Sequence, residues 1–442
     1  MKKFLLSTTV VLTTCLVCGL GLTSCSEDAS DSPVSVSTRT TENLAQIISA
    51  NKTLYANVTY VLTGKTYVTN GATLTIEPGT RIEGVAAALP INASALIITK
   101  GSKIVANGTA TAPIIMTAQN GTKGGWGGLV LLGQATVNQG NNGMIEGITS
   151  SVVPAGIDVT YGGNNDADNS GVLRYVRVEY AGASIAEANE LNAFTFGGVG
   201  SGTTVDHCQA YQGADDAFEF FGGAVNCKYL VATANDDDAF DFDFGYRGKI
   251  QFAVATIDPS LTYSSDPNGI ECDNDGSSSA LTPFTHPVLS NLTIVGTTTG
   301  KTNANVALKS AADFRRNCQF TLVNSVLYGF PRGILRETAN TTYTLENNVV
   351  CAVPSTGINF SADKSATTTF TPSTTNSGLT SYDDIILNNP WGGYKSVDAL
   401  MPVGDPALSG ASFAGLTGFD VVTYKGAFSD LEDTWTSATW VR

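Results

Sequence analysis

Hydrophobic and polar residues alternate in short runs along this chain, and two of the runs repeat at a step of 22. Leu74, Ile76, Gly79 and Ile82 in LTIEPGTRI (74–82) return as Leu96, Ile98, Gly101 and Ile104 in LIITKGSKI (96–104). Further on, GADDAFEFFGG (213–223) is followed by NDDDAFDFDFG (235–245), which sets Asp215 over Asp237, Phe218 over Phe240 and Glu219 over Asp241. Short alternating strands punctuated by Gly, Asn and Asp, at a period near twenty, predict stacked coils of strand. The fold class is therefore all-β, a parallel β-helix, and function has to be read from columns of side chains.

The later coils are followed by their strands. VRVEYAG (176–182), HCQAYQG (207–213), NCKYLVA (226–232), IQFAVAT (250–256), NLTIVGT (291–297), NSVLYGF (324–330) and NNVVCAV (347–353) read as one repeated strand. A second strand follows each: FTFGG (194–198), FEFFGG (218–223), FDFDFG (240–245), GIECDND (269–275), VALKS (306–310), GILRE (333–337) and GINF (357–360). Side chains alternate with a period of two, so Phe218 and Phe220 face inward onto Phe240 and Phe242. Glu219 and Asp241 then stack outward, with Glu271 continuing the column. His207, Asn226, Asn291, Asn324 and Asn347 are expected in one column of hydrogen-bonded turn residues, where His207 reads as a variant rung rather than a catalytic base.

The chain divides into segments. Lys2, Lys3, an apolar run from Phe4 to Leu20 and then Leu22-Thr23-Ser24-Cys25 resemble a bacterial lipoprotein signal (1–24), with Cys25 lipidated after cleavage. The run is too short for a membrane span and is followed at once by SEDASDS. Ser26-Glu27-Asp28 resembles an acidic export signal for the outer face of the outer membrane. Residues 25–52 read as a flexible polar tether, 53–376 as the β-helix with a Gly- and Asn-rich excursion near 139–171, and 377–442 as a C-terminal cap.

Net charge is −15, which removes nucleic acid from the expected partners because phosphate binding needs a basic face. Beyond Cys15, Cys18 and Cys25 there remain Cys208, Cys227, Cys272, Cys318 and Cys351, an odd number that argues against a disulfide framework.

The acids are the candidate chemistry. Neighbouring coils lie about 4.8 Å apart, so stacked carboxylates either raise one another's pKa or recruit a cation. Asp215, Asp216, Glu219, Asp236, Asp237, Asp238, Asp241, Asp243, Glu271 and Asp273 are the candidate ligands, joined at the turns by Asp266 and Asp275. Oxygen-rich turns without a His or Cys cluster favour Ca²⁺ over Zn²⁺. The alternative is that these acids only close turns. Lys309 and Arg336 are expected to extend the outer column, either as charge balance or as the base of a lyase. Asp215-Asp216 and Arg247-Gly248-Lys249 resemble pieces of the pectin-hydrolase set, but neither His207 nor His286 lies between glycines as that set requires. Phe221 and Tyr246, if outward, offer stacking surfaces for a sugar.

WGGLVLLGQATVN (126–138), YGGNNDADNSGVLRYVRVEYAG (161–182), GADDAFEFFGGAVNCKYLVA (213–232) and YKGAF near the C-terminus resemble secreted right-handed β-helix lipoproteins of the Bacteroides group. The resemblance implies a pectate-lyase-like solenoid on a surface lipoprotein and carries no catalytic residue. Two functions are expected. One is a non-enzymatic surface protein that binds a polysaccharide or a host or cell-surface partner, with Ca²⁺ in its acidic patch and the membrane reached only through lipid. The other is a Ca²⁺-dependent lyase of acidic polysaccharides.

Overall fold

The computed structural model describes residues 39–148, 153–186, 189–302, 307–338, 341–384 and 387–442. The expected signal segment, Cys25 and the first part of the expected tether lie outside the described residues. Among those residues, 17 strands form one sheet, here sheet A, and 11 form a second, sheet B. Every pairing within these two sheets is parallel, as in Phe218↔Phe240 and Val205↔Cys227. A coil gives a strand to A, turns, gives a strand to B and returns one rung on: Thr204–Tyr211, Phe218–Gly223, Asn226–Thr233, Phe240–Asp243. No described helix is long and apolar enough to cross a membrane.

The inside is apolar and stacked in register. Phe194, Phe218 and Phe240 form one pile, with ring centroids 4.8 and 5.6 Å apart. Phe196, Phe220 and Phe242 form another at 5.0 and 5.2 Å. All six are fully buried. Such piles follow from identical strand phase in successive coils, which places like side chains one strand spacing apart.

Three sequence readings need correction. The repeat between 74–82 and 96–104 does not join successive rungs: Leu74 is in sheet A and pairs with Ile104, whereas Leu96 is in sheet B and pairs with Leu129. The loop carrying Pro90–Asn92 lengthens that coil and shifts the repeat out of step with the rungs. The tether expected over 25–52 already contains strands, since Thr40–Asn43 pairs with Val58–Val61 and Ile47–Ile48 with Tyr67–Val68. The polar, exposed TTEN carries no alternation to reveal it. The bend column is also different, because Asn226 pairs with Thr204 at a strand start. The column is instead Tyr175, His207, Tyr229, Phe252, Asn291, Asn324 and Asn347, all left-handed with φ between 50 and 59°. Asn tolerates this conformation, while the aromatic rungs offset its cost by stacking, His207 lying 4.5 Å from Tyr175 and 4.4 Å from Tyr229.

Both sheets are covered outside as well. The excursion folds back as an antiparallel ribbon, Gly143–Met144 with Thr160–Tyr161, and sets Ile145, Ile148 and Tyr161 over Val130, Leu132 and Phe221 on sheet B. The 377–442 stretch does more than cover the last coil. Ser377–Gly378 pairs with Val349–Val350, but Leu400, Phe428 and Trp440 pack on Val231, Val254, Val326 and Val349 along the outer face of sheet A. The chain there runs back as a strap: Asn324 donates to Ser412 O, Asn291 to Tyr424 O and Arg177 to Trp440 O. All five remaining cysteines are buried free thiols.

Candidate metal centre

Two columns build the site. The first sits at the turns entering sheet B, two residues before each strand. Asp216 Oδ1 accepts the Asp238 N–H at 2.8 Å, Asp238 Oδ1 accepts the Asn268 N–H at 2.6 Å, and Asn268 Oδ1 accepts the Ser310 N–H at 3.0 Å. Each side chain thus satisfies a backbone donor of the next coil, which is a turn-closing role. The second column is the outward face of sheet B, where the register sets Thr195, Glu219, Asp241, Glu271 and Asp313 side by side.

Some of the candidate acids have cationic partners. Asp236 pairs with Lys123. Arg315 bridges Glu271 and Asp273, and Arg316 reaches Asp273 at 2.6 Å. Both arginines follow the strand Ser310–Phe314, so their place beside the acids is set by the coil stacking and not by proximity in sequence. Asp237 accepts from Ser264 Oγ at 2.7 Å, and Asp243 accepts the Phe244 N–H at 2.7 Å. Asp275 closes its own loop on Ser277 and Ser279.

The remaining acids crowd together. Asp215, Asp216 and Asp237 each bring a carboxylate oxygen within 4.8 Å of the other two, and so do Asp216, Glu219 and Asp241. Asp216 belongs to both groups, so five carboxylates share one patch. Burial, reinforced by like charge, pushes Asp215, Asp216 and Glu219 well above the usual carboxylate range. Glu190, from the hairpin beside the coils, and Glu146, from the excursion, add to the negative field. Burial drives Asp241 up to about 8, with Asp273 adding and Arg315 opposing, and drives Asp237 up to about 6. Asp238 and Asp243 are also raised, by burial first and neighbouring carboxylates second.

Several oxygens in this patch lack partners. Asp241 Oδ1, Asn192 Oδ1 and Thr195 Oγ1 are buried with no hydrogen bond, although Asn192 and Thr195 are only 1% and 0% exposed. Thr195 stands directly across from Glu219, and Asn192 donates its amide to the same carboxylate. Buried polar atoms are nearly always satisfied, so a cluster of orphan oxygens among carboxylates fits a hard cation.

Other expected residues fall elsewhere. The outward column passes from Glu271 to Asp313 and Leu335, so neither Lys309 nor Arg336 extends it. The strand expected at 306–310 is Ser310–Phe314, which is why Asp313 was missed; burial pushes its carboxyl up to about 7. Arg336 lies over the rings of Tyr343 and Phe370, at 4.7 and 4.9 Å. Phe221 is covered by Tyr161 and Phe244, and Tyr246 is fully buried against Phe242, so neither offers a face to a sugar. Arg247 reaches Asp166 and Thr136 O while Lys249 reaches Thr417 O in the strap, which separates the Arg-x-Lys pair. His286 bonds Thr321.

Neither a curated protein nor a solved structure gives a match to the chain. Residues 46–389 match the family described as the pectate-lyase-like beta helix domain. With parallel coils, stacked rings and outward acid columns across that same span, the chain belongs to the pectate-lyase-like β-helix family.

Proposed function

We propose that the chain is an outer-membrane lipoprotein, anchored through Cys25 and exposed at the cell surface, that binds polysaccharide or a cell-surface partner without cleaving it. Its acidic columns hold Ca²⁺. One observation carries the cation: Asp215, Asp216, Glu219, Asp237 and Asp241 crowd into one patch, in which Asp241 and the two neighbours of Glu219, Thr195 and Asn192, each keep an orphaned buried oxygen. Asp216, Glu219 and Asp241 would hold the ion, with Thr195 as a neutral oxygen donor, a set suited to six to eight oxygen ligands. The ion's role there is to neutralise buried like charge and fix the coils against each other.

The lyase reading is weaker because it needs an uncommitted base beside the acids. Arg315 and Arg316 are tied to Glu271 and Asp273, while Lys309 and Arg336 lie outside the outer column. A net charge of −15 keeps nucleic acid off the partner list.

Thermal unfolding with Ca²⁺ and with chelator tests the site. A cation at a hundred times its Kd adds about 2.7 kcal/mol of stability, so chelation is expected to lower Tm by several degrees. Asp241→Asn is expected to remove that response. An equal Tm in Ca²⁺ and chelator would return the acids to turn closure. Cys25→Ala is expected to move the protein from the membrane to the soluble fraction, and protease added to intact cells is expected to cut the wild-type protein. A variant that stays membrane-bound would refute the anchor.

A further inference from the structure

A covalent site lies in the core, behind the turn that carries the two arginines. Cys272 ends the strand Ile270–Cys272 and belongs to the inward column of sheet B, between Phe242 and Phe314. Cys318 lies one coil on, in the turn between Ser310–Phe314 and Phe320–Val323. Both thiols sit in the apolar core, Cys272 0% and Cys318 2% exposed. Backbone bonds tie the two together through one residue: Arg315 donates its N–H to Cys272 O at 3.0 Å, and Cys318 donates its own to Arg315 O at 3.1 Å. The turn thus brings Cys318 back to the end of the earlier strand, where the two thiols interact directly.

The other cysteines are placed less well. Cys208 and Cys227 are also near each other, but Cys208 stands across from Leu230 and Cys227 across from Val205, so the two are offset along their strands. Cys351 faces the strap, in the outer cluster with Val349 and Trp440. Residues on neighbouring parallel strands keep parallel Cα–Cβ directions, whereas a disulfide needs its Cβ atoms to approach to about 4 Å. A cysteine at a strand end and one on the turn that crosses it escape that restriction.

We infer that Cys272 and Cys318 are a disulfide site, joined as the chain folds outside the cytoplasm. One thiolate attacks a protein or small-molecule disulfide to give a mixed disulfide, and the second thiolate displaces it. The pair loses two protons and two electrons, and the attacked disulfide leaves as two thiols. Burial first, and Cys318 second, push the Cys272 thiol well above its usual range, so the exchange belongs to the folding chain, before the turn closes. The bond pins Arg315 on both sides, and Arg315 with Arg316 supplies the positive charge facing Glu271 and Asp273. The oxidant comes from the export reading, while the pairing itself does not depend on it.

Peptide mapping of the full chain, alkylated in denaturant before any reduction, tests the site. In protein from the membrane fraction of an expressing bacterium, the Cys272 and Cys318 peptides are expected as one cross-linked species, with Cys208, Cys227 and Cys351 alkylated. The same species is expected when the reduced chain refolds in a glutathione buffer that contains the oxidised form. The cross-linked chain is expected to melt several degrees above the reduced one, and Cys318→Ala is expected to abolish both the species and the difference in Tm. If Cys318→Ala does not fold, the map of the wild-type chain carries the test. Alkylation of Cys272 and Cys318 in both preparations would overturn the site, as would a Cys208–Cys227 bond in its place. A cross-link made in glutathione but absent from the cellular protein would uphold the pair and count against export.

Discussion

Asp241 shows what burial beside like charge does to a single carboxyl group, whose pKa is driven from the usual value of 3.8 up to about 8. Asp237 and Asp313 follow at about 6 and about 7. In the unfolded chain these groups titrate near about 3.9. Their folded values are higher, so the stability they contribute is complete below about pH 4 and is lost as pH rises through 6 to 8. In chelator, Tm is therefore expected to fall between pH 4 and pH 8, and Asp241→Asn is expected to flatten the upper part of that fall. Saturating Ca²⁺ binds the deprotonated acids, so its stabilisation is expected to grow over the same window; Tm against pH in both conditions measures it. Asn324 makes a different point about single residues. It is left-handed at φ 53°, and its amide bonds Ser290 Oγ and Ser412 O. Asn324→Ala loses both bonds, together with the one that its Oδ1 accepts from the Ser412 N–H, and places a less tolerant residue in that conformation, so a cost of about 2–3 kcal/mol is expected in denaturant melts.

Strands behave as rungs whose meaning depends on their neighbours. Phe220 lies between Phe196 and Phe242 with no exposed surface, and Phe220→Ala is expected to cost about 3–5 kcal/mol by chemical denaturation. The register of this region was legible because the coils at 213–223 and 235–245 have turns of equal length, which keep Phe over Phe and Glu219 over Asp241. Where a loop intervenes, the same reasoning slips. The insertion around Pro90–Asn92 turned a 22-residue similarity into a false rung, and the turn before Ser310 hid the strand that carries Asp313. The acids themselves were visible as residues. What composition could not reveal was the counter-charge: Arg315 reaches Glu271 from 44 positions away, a contact created only by stacking one coil on the next. Likewise Phe221 alternates outward as its strand phase requires, yet the excursion covers it, and no local pattern encodes that cover.

Across the whole molecule, the strap turns an open stack into a three-layered body: apolar core, sheets and outer cover. Val231, Val254, Val326 and Val349 face outward from sheet A and are dry only because Leu400, Phe428 and Trp440 lie on them. Removing residues 405–442 is therefore expected to lower Tm and to raise binding of a hydrophobic dye, even though every coil is left intact. Light scattering of the truncated chain is expected to show association through the uncovered valines. The far end of the strap has a mechanical consequence. Arg442 exchanges hydrogen bonds with Gln209 across 233 positions and pairs with Glu179, so the last residues are moored to coils near the middle of the chain. A pull on that end loads the Trp440 and Arg442 moorings before it loads any rung, and the stack cannot unwind from its last coil until the strap has been stripped away.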